Sequence, residues 1–213
     1  ESDAMGGHDP YSSSKACAEI VSRAYRKSYF SSDQASINSP SIATARAGNV
    51  IGGGDWSKDR LVPDIMTSIM ENRPPFVRFP NAIRPWQFVG EPLHGYLTLI
   101  EKMWHDGDAF AGAWNFGPNE EDARPVSWII DNLSRQWGSA IPWETDPTPQ
   151  PHETSYLKLD CSKAKSFLGI SPVVDLTTCL EWTVEWYRAY SQRKDMRKFS
   201  EDQIIRYERL IAK

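Results

Sequence analysis

Tyr11-Ser-Ser-Ser-Lys15 sets a phenol and an ammonium four residues apart. On a helix, positions i and i+4 share a face, so both groups can reach one site. A free tyrosine titrates near about 10, too high for a base at neutral pH. A neighbouring cation favours the phenolate and lowers that value. The shift moves tyrosine towards the range useful for taking a proton from an alcohol. Two fixed positions in five are a weak signal by themselves. A surface tyrosine beside a lysine is the plain reading unless other features support the pair.

Two further features do. Thirty-one residues after Lys15 begins Arg46-Ala-Gly-Asn-Val-Ile-Gly-Gly-Gly-Asp-Trp56, which reads as a buried strand running into small residues. Small residues let backbone approach a ligand closely, and in open α/β sheets ligands sit beyond the carboxyl ends of strands. Asn49 offers such a ligand a donor and an acceptor. Then Lys58, Arg60, Arg73, Arg78 and Arg84 set five cations against three acids. Arginine forks suit phosphate oxygens. Arg84 is the strongest candidate, because Ile83, Pro85 and Trp86 around it predict partial burial, and a buried arginine needs an anionic partner.

The elements that must position these groups follow from periodicity and punctuation. Asp9-Pro10 is a helix entry, and Cys17, Ile20, Val21, Ala24 and Tyr25 repeat at helical spacing over 11–29. Strands are predicted at 42–50, 76–79, 87–89, 114–116 and 154–159, and helices at 60–72, 93–104, 125–137, 162–168 and 175–190. The four prolines of 142–151 make that stretch a loop. The tail, 191–213, carries seven Lys/Arg against four Asp/Glu and reads as a solvated helix packed on its neighbour. Helices alternating with short strands predict an α/β fold.

Composition excludes several classes. The chain has 213 residues, 40% hydrophobic and 12% aromatic, enough to bury a core. A net charge of −4 argues against a nucleic-acid binder, and the tryptophans read as core and pocket lining rather than a stacking platform. No apolar run reaches the roughly 18–20 residues of a spanning helix, so no membrane partner is expected. Cys17, Cys161 and Cys179 show no paired spacing, and His8, His94, His105 and His152 no ligand spacing. Neither a disulfide framework nor a metal site is therefore expected, and a reducing, cytoplasmic setting fits. Cys17 and Cys179 read as core residues.

Together with Arg60-Leu-Val-Pro-Asp64, Arg84-Pro-Trp-Gln87, Glu91-Pro-Leu93, Trp114-Asn-Phe-Gly-Pro118 and His152-Glu153, these motifs resemble the extended short-chain dehydrogenase/reductase family that acts on nucleotide sugars. The wording GGHDPYSSSK, GNVIGGGDW and IRPWQ is similar to the CDP-glucose 4,6-dehydratases more than to the dTDP-glucose or GDP-mannose enzymes. The resemblance spans about residues 5–190.

It implies NAD as cofactor and CDP-glucose or a related nucleotide sugar as substrate. Hydride leaves sugar C4, water is eliminated across C5–C6, hydride returns to C6, and CDP-4-keto-6-deoxyglucose results. By the same resemblance Tyr11 is the base, and Lys15 holds the nicotinamide ribose while tuning Tyr11. The backbone of Ala47, Asn49 and Val50 lies beside the nicotinamide, with Asn49 also reaching the substrate. Arg60 and Arg84 bind the diphosphate or nucleotide, and His152, Glu153 and Tyr156 line the nucleotide pocket. A homo-oligomer, dimer or tetramer, is implied for the full-length enzyme.

No glycine-rich pyrophosphate turn occurs here, and the chain opens on a charged stretch without an initiator Met. The resulting expectation is a carboxy-terminal portion, with the amino-terminal Rossmann half missing and the chain inactive alone. The expected fold is the second half of a Rossmann-type doubly wound parallel sheet with a smaller interleaved α/β substrate-binding lobe. The first comprises 1–57 and 86–116, the lobe 58–85 and 117–190, and 191–213 a helical tail. Phe88-Val-Gly90 departs from the His-Val-Leu of similar sequences, so packing or a pocket contact should differ there. A nucleotide-sugar epimerase and a noncatalytic sugar-nucleotide-binding module remain open as rival readings.

Overall fold

Asp9 opens the first helix by accepting a hydrogen bond from the Ser12 amide at 2.9 Å, and Pro10 takes the first helical turn, where its missing N–H costs nothing. The computed structural model describes residues 4–7, 9–30, 40–139, 142–146, 148 and 155–212. Its residues fall into two units, each assembled from separated stretches of chain. The first comprises 1–47, 93–116 and 160–170, the second 48–92, 117–159 and 171–213.

In the first unit, β1 (Ala43–Ala47) runs parallel to β5 (Gly112–Phe116), with Ala43 opposite Gly112 and Ala47 opposite Phe116. Around them stand α1 (Pro10–Tyr29), α3 (Gly90–Asp106) from Leu93 onward, and α5 (Ser162–Leu168). The core is small: Leu99, Trp114, Phe116, Ala164 and Leu168, with Tyr96, Met103 and Phe110 against it. Gly95 is needed inside α3, because a Cβ there would lie 2.4 Å from the Phe116 ring. Lys163 sits 3.9 Å from the Trp114 ring centroid and donates to the Ala113 carbonyl at 2.7 Å.

The second unit holds the larger core. β4 (Ile83–Phe88) is flanked by β2 (Asn49–Ile51), parallel, and β6 (Ala123–Pro125), antiparallel. β3 (Phe76–Val77) pairs in parallel with β7 (Glu144–Thr145). Helices α2 (Leu61–Met70), α4 (Val126–Trp137), α6 (Leu176–Ser191) and α7 (Met196–Ile211) bury Ile65, Met66, Ile129, Ile130, Leu133, Leu180, Trp182 and Tyr187 almost completely. Two buried carboxylates peg the backbone that leads into α6. Glu91 accepts from the amides of Val173 and Val174, and Asp122 from that of Leu176. No helix among the described residues is long and apolar enough to cross a membrane.

Several expectations change. The strand predicted over 42–50 is two strands in different sheets, β1 and β2, broken at Gly48, where a Cβ would lie 2.5 Å from the Pro85 carbonyl oxygen. The strand at 87–89 is longer and earlier, and the described residues of 154–159 contribute a bridge, Tyr156 to Ile83. Cys17 is exposed rather than core, and α1 buries none of its residues, because its apolar period faces outward.

The triple glycine meets a tryptophan. A Cβ on Gly53 would lie 2.0 Å from the Trp186 ring, and Gly54 has φ +84°. The Phe88/Gly90 departure is likewise packing: the Phe88 ring meets Trp182 edge-on at 5.1 Å and Tyr207 at 5.7 Å. Gly90 leaves the space, since a Cβ there would come within 2.7 Å of Phe88.

The fold expected for the chain also needs correction. The α/β organisation is not confined to the second half of a doubly wound sheet with a smaller lobe attached. It runs from α1 at residue 10 to α7, and the described strands pair in three short sheets. Hydrophobic period locates strands but not their partners, which is why spacing alone misjudged the arrangement.

Candidate active site

Within the first unit, α1 and β1 border a cleft of about 640 Å³ whose lining includes Tyr11, Ser12, Lys15, Glu19, Arg46 and Ala47. Successive turns of α1 bring Tyr11, Lys15 and Glu19 onto one face, as their spacing of four requires. Lys15 Nζ lies 5.7 Å from the Tyr11 ring centroid, and the phenol is exposed. The start of the helix is held by a local network. Asp9 accepts from both the amide and the hydroxyl of Ser12, and these bonds keep its carboxyl below the usual range. Ser14 donates to the Tyr11 carbonyl at 2.7 Å.

Deeper in the cleft, Glu19 accepts two bonds from Arg46, at 2.9 Å from Nε and 2.8 Å from Nη2, and one from Thr44 Oγ1 at 2.8 Å. The Arg46 fork holds the Glu19 carboxyl below its ordinary range. Sequence reasoning assigned neither residue a role. The one available signal was Glu19 standing four residues after Lys15; its partner on β1 is long-range.

The other candidates lie in the second unit, apart from Ala47. Asn49 and Val50 are on β2, Asn49 opposite Trp86. Arg60 is exposed at the amino end of α2, with no side-chain capping bond. Arg84 is buried in β4, as its neighbours predict, and donates to the Ile83 carbonyl at 2.8 Å. Directly across the antiparallel register stands Arg124 of β6, over the Trp128 ring at 5.6 Å. Partners in such a register project to one face of the sheet, so two guanidinium-bearing residues share it. Sequence reasoning passed over Arg124, because register is invisible in spacing. Tyr156 bridges to Ile83, and its exposed ring lies under Lys158 at 5.4 Å. His152 and Glu153 lie outside the described residues.

Comparison with known proteins adds to this geometry. No model of a known protein family matches the chain. The CDP-glucose 4,6-dehydratase of Salmonella typhimurium is 46% identical over 207 residues, which is 97% of this chain and 58% of that relative. The dTDP-glucose 4,6-dehydratase of the same organism is 24% identical over 194 residues, covering 90% of this chain and 51% of that one. Among solved structures, dTDP-glucose 4,6-dehydratase from Bacillus anthracis in complex with NAD matches with a TM-score of 0.70 at 20% identity, over 91% of this chain and 57% of that one. UDP-glucose 4-epimerase from Thermotoga maritima with UDP-glucose gives 0.72 at 20% identity, over 87% and 55%.

This chain shares their fold. It spans a little over half the length of these relatives. The expectation of a carboxy-terminal portion defined by an absent Rossmann half is corrected by the extent of the likeness. Alignment takes up 97% of the chain and the shared fold 91%, so the Rossmann-type α/β organisation extends along nearly all of it.

Proposed function

We propose that the protein is an NAD-dependent nucleotide-sugar 4,6-dehydratase that converts CDP-glucose to CDP-4-keto-6-deoxyglucose and water, a step of deoxysugar biosynthesis. The observation that carries this reading is the 46% identity to a CDP-glucose 4,6-dehydratase along 97% of the chain. The cleft lined by Tyr11 and Lys15, a phenol beside an ammonium, supports it.

The cleft fits the nicotinamide end of NAD. Its volume of about 640 Å³ admits a nucleoside-sized group, and its lining offers an ammonium for ribose hydroxyls and small walls at Gly6, Ala16 and Ala47. NAD, when bound, supplies hydride acceptance and return. Tyr11 Oη takes the proton of the sugar 4-hydroxyl as the C4 hydride departs, with the Lys15 ammonium beside its ring. Lys15 holds the nicotinamide ribose. The backbone at Ala47, in the cleft lining, borders the nicotinamide, and Asn49 of the second unit meets the substrate.

The second unit supplies the nucleotide-sugar contacts. Arg84 and Arg60 bind the diphosphate or nucleotide, with His152, Glu153 and Tyr156 lining the nucleotide pocket.

The active form is a homo-oligomer. Leu93, Leu97, Ile100 and Trp104 form an exposed apolar stripe on α3, and Ile20, Val21 and Tyr25 another on α1. Sedimentation of wild type against Leu97→Glu tests this, with dissociation expected. A cytoplasmic setting agrees with the free thiols of Cys17, Cys161 and Cys179.

The deciding assay incubates the protein with NAD and CDP-glucose and follows the sugar by NMR. A new C6 methyl with a C4 ketone is expected. A C4 epimer would replace the dehydratase reading with an epimerase, and binding without turnover would leave a binding module.

A further inference from the structure

The helix that carries Tyr11 and Lys15 is lightly anchored, for α1 buries no residue. Its tie to β1 is polar: both Glu19 oxygens are engaged by Arg46, and Oε2 also by Thr44. Glu19 and Arg46 are each less than a third exposed, at 18% and 27% of their side chains. Such a half-buried carboxylate requires a cationic partner.

Arg46 of β1 pairs with it, Arg26 acts on it from further along α1, and Lys15 stands one turn earlier on the same helix face, where an ammonium can reach it. Lysine holds a carboxylate as a mobile point charge, whereas the arginine fork takes both oxygens at once. While Arg46 fills Glu19, Lys15 Nζ stays at Tyr11, 5.7 Å from the ring centroid.

We infer that Arg46 is a positioning residue that keeps Glu19 from drawing the Lys15 ammonium away from Tyr11. The inference rests on the reading of Tyr11 as the base. Without Arg46, Glu19 takes Lys15, and the ammonium leaves the Tyr11 ring and moves a turn down the helix. The other charged groups on these elements do not replace Arg46. Arg26 contributes to the field at Glu19 from further along α1, and Asp9 is engaged by Ser12.

The test uses the protein in four forms: wild type, Arg46→Met, Glu19→Gln/Arg46→Met and Tyr11→Phe. Arg46→Met is expected to lower turnover on CDP-glucose at neutral pH about tenfold or more and to move the acid limb of the pH–rate profile to higher pH. Its crystal structure should show Lys15 Nζ within hydrogen-bond distance of Glu19. In the double variant an uncharged amide cannot hold the ammonium, so the acid limb returns towards wild type.

A strut that merely ties α1 to β1 predicts the reverse, a double variant at least as impaired as the single one. That result, or Lys15 remaining at Tyr11 in Arg46→Met, overturns the inference. Should Arg46→Met not fold, Arg46→Lys carries the test. It keeps a cation but loses the fork, so the acid limb should move the same way by less, and no movement overturns the inference. Wild-type turnover in Tyr11→Phe would instead remove the base reading, while the position of Lys15 in the Arg46→Met crystal still decides the inference.

Discussion

The two units use glutamate in opposite ways. In the first, Glu19 stands in a cleft between α1 and β1, paired with arginine and held below its ordinary range. In the second, Glu91 is buried on the Val173 and Val174 amides and the Tyr207 hydroxyl, and burial pushes its carboxyl up. The surroundings differ as much. Among the described residues, the first unit has a five-residue buried core and a helix that buries nothing, whereas the second packs four helices around an aromatic-rich interior. The unit bearing the tyrosine–lysine pair is thus lightly built and held by charge. The unit bearing the arginines of β4 and β6 is heavily packed and held by apolar burial.

If that contrast is sound, the largest effect should come from the packed unit. Leu180, fully buried in α6, replaced by alanine should cost about 2–5 kcal/mol of stability, read as a lower midpoint in urea. A loss below about 1 kcal/mol would mean that the core of the second unit collapses around the gap and is not stiff.

Next comes Tyr11→Phe, which keeps the ring and removes the titrating oxygen. Turnover should fall by about 10²-fold or more with the urea midpoint unchanged, because the phenol is exposed and supports no packing. An equal loss of stability would erase the distinction between the units.

Arg84→Ala should weaken CDP-glucose binding by about 1.5–3 kcal/mol in calorimetry. Unchanged affinity would assign Arg84 to the architecture of β4 alone.

The smallest effect is one of pH. Because Glu91 is raised above its ordinary value of 4.5 by burial, the folded state holds its proton more tightly than the unfolded chain. Its contribution is present below that value and is lost as pH rises through the higher folded value. Glu91→Gln should remove this decline, seen as a flatter dependence of melting temperature on pH above 4.5. Glu19 has the opposite sign: its pairing with Arg46 stabilises above the ordinary carboxyl range and fades as pH falls. Glu19→Gln should therefore flatten the acid side instead.

The local geometry of the candidate site was legible. Tyr11 and Lys15 are related by helical spacing, and the Asp9-Pro10 entry ensures that a helix begins there. The burial of Arg84 could be read from Ile83, Pro85 and Trp86. Other features were misjudged because their cause is distant in sequence. The glycines at 53 and 54 suggest an approach to a ligand, yet they meet Trp186, more than 130 residues away. Cys17 and its neighbours have the period of a core helix, but periodicity marks an apolar face without saying what covers it.

What the amino-acid order determined by itself is local: caps, helix faces, breaks at glycine and proline, and the pairing of a phenol with an ammonium one turn away. These depend on residues within a few positions, whose geometry follows from the backbone. The tertiary structure decided the rest. It separated Ala47 from Asn49 into different sheets, set Arg124 opposite Arg84, and gave Glu19 to Arg46. Each of these is a choice among partners far apart in the chain. Such choices are made by strand register and burial over the whole fold, which no local spacing records.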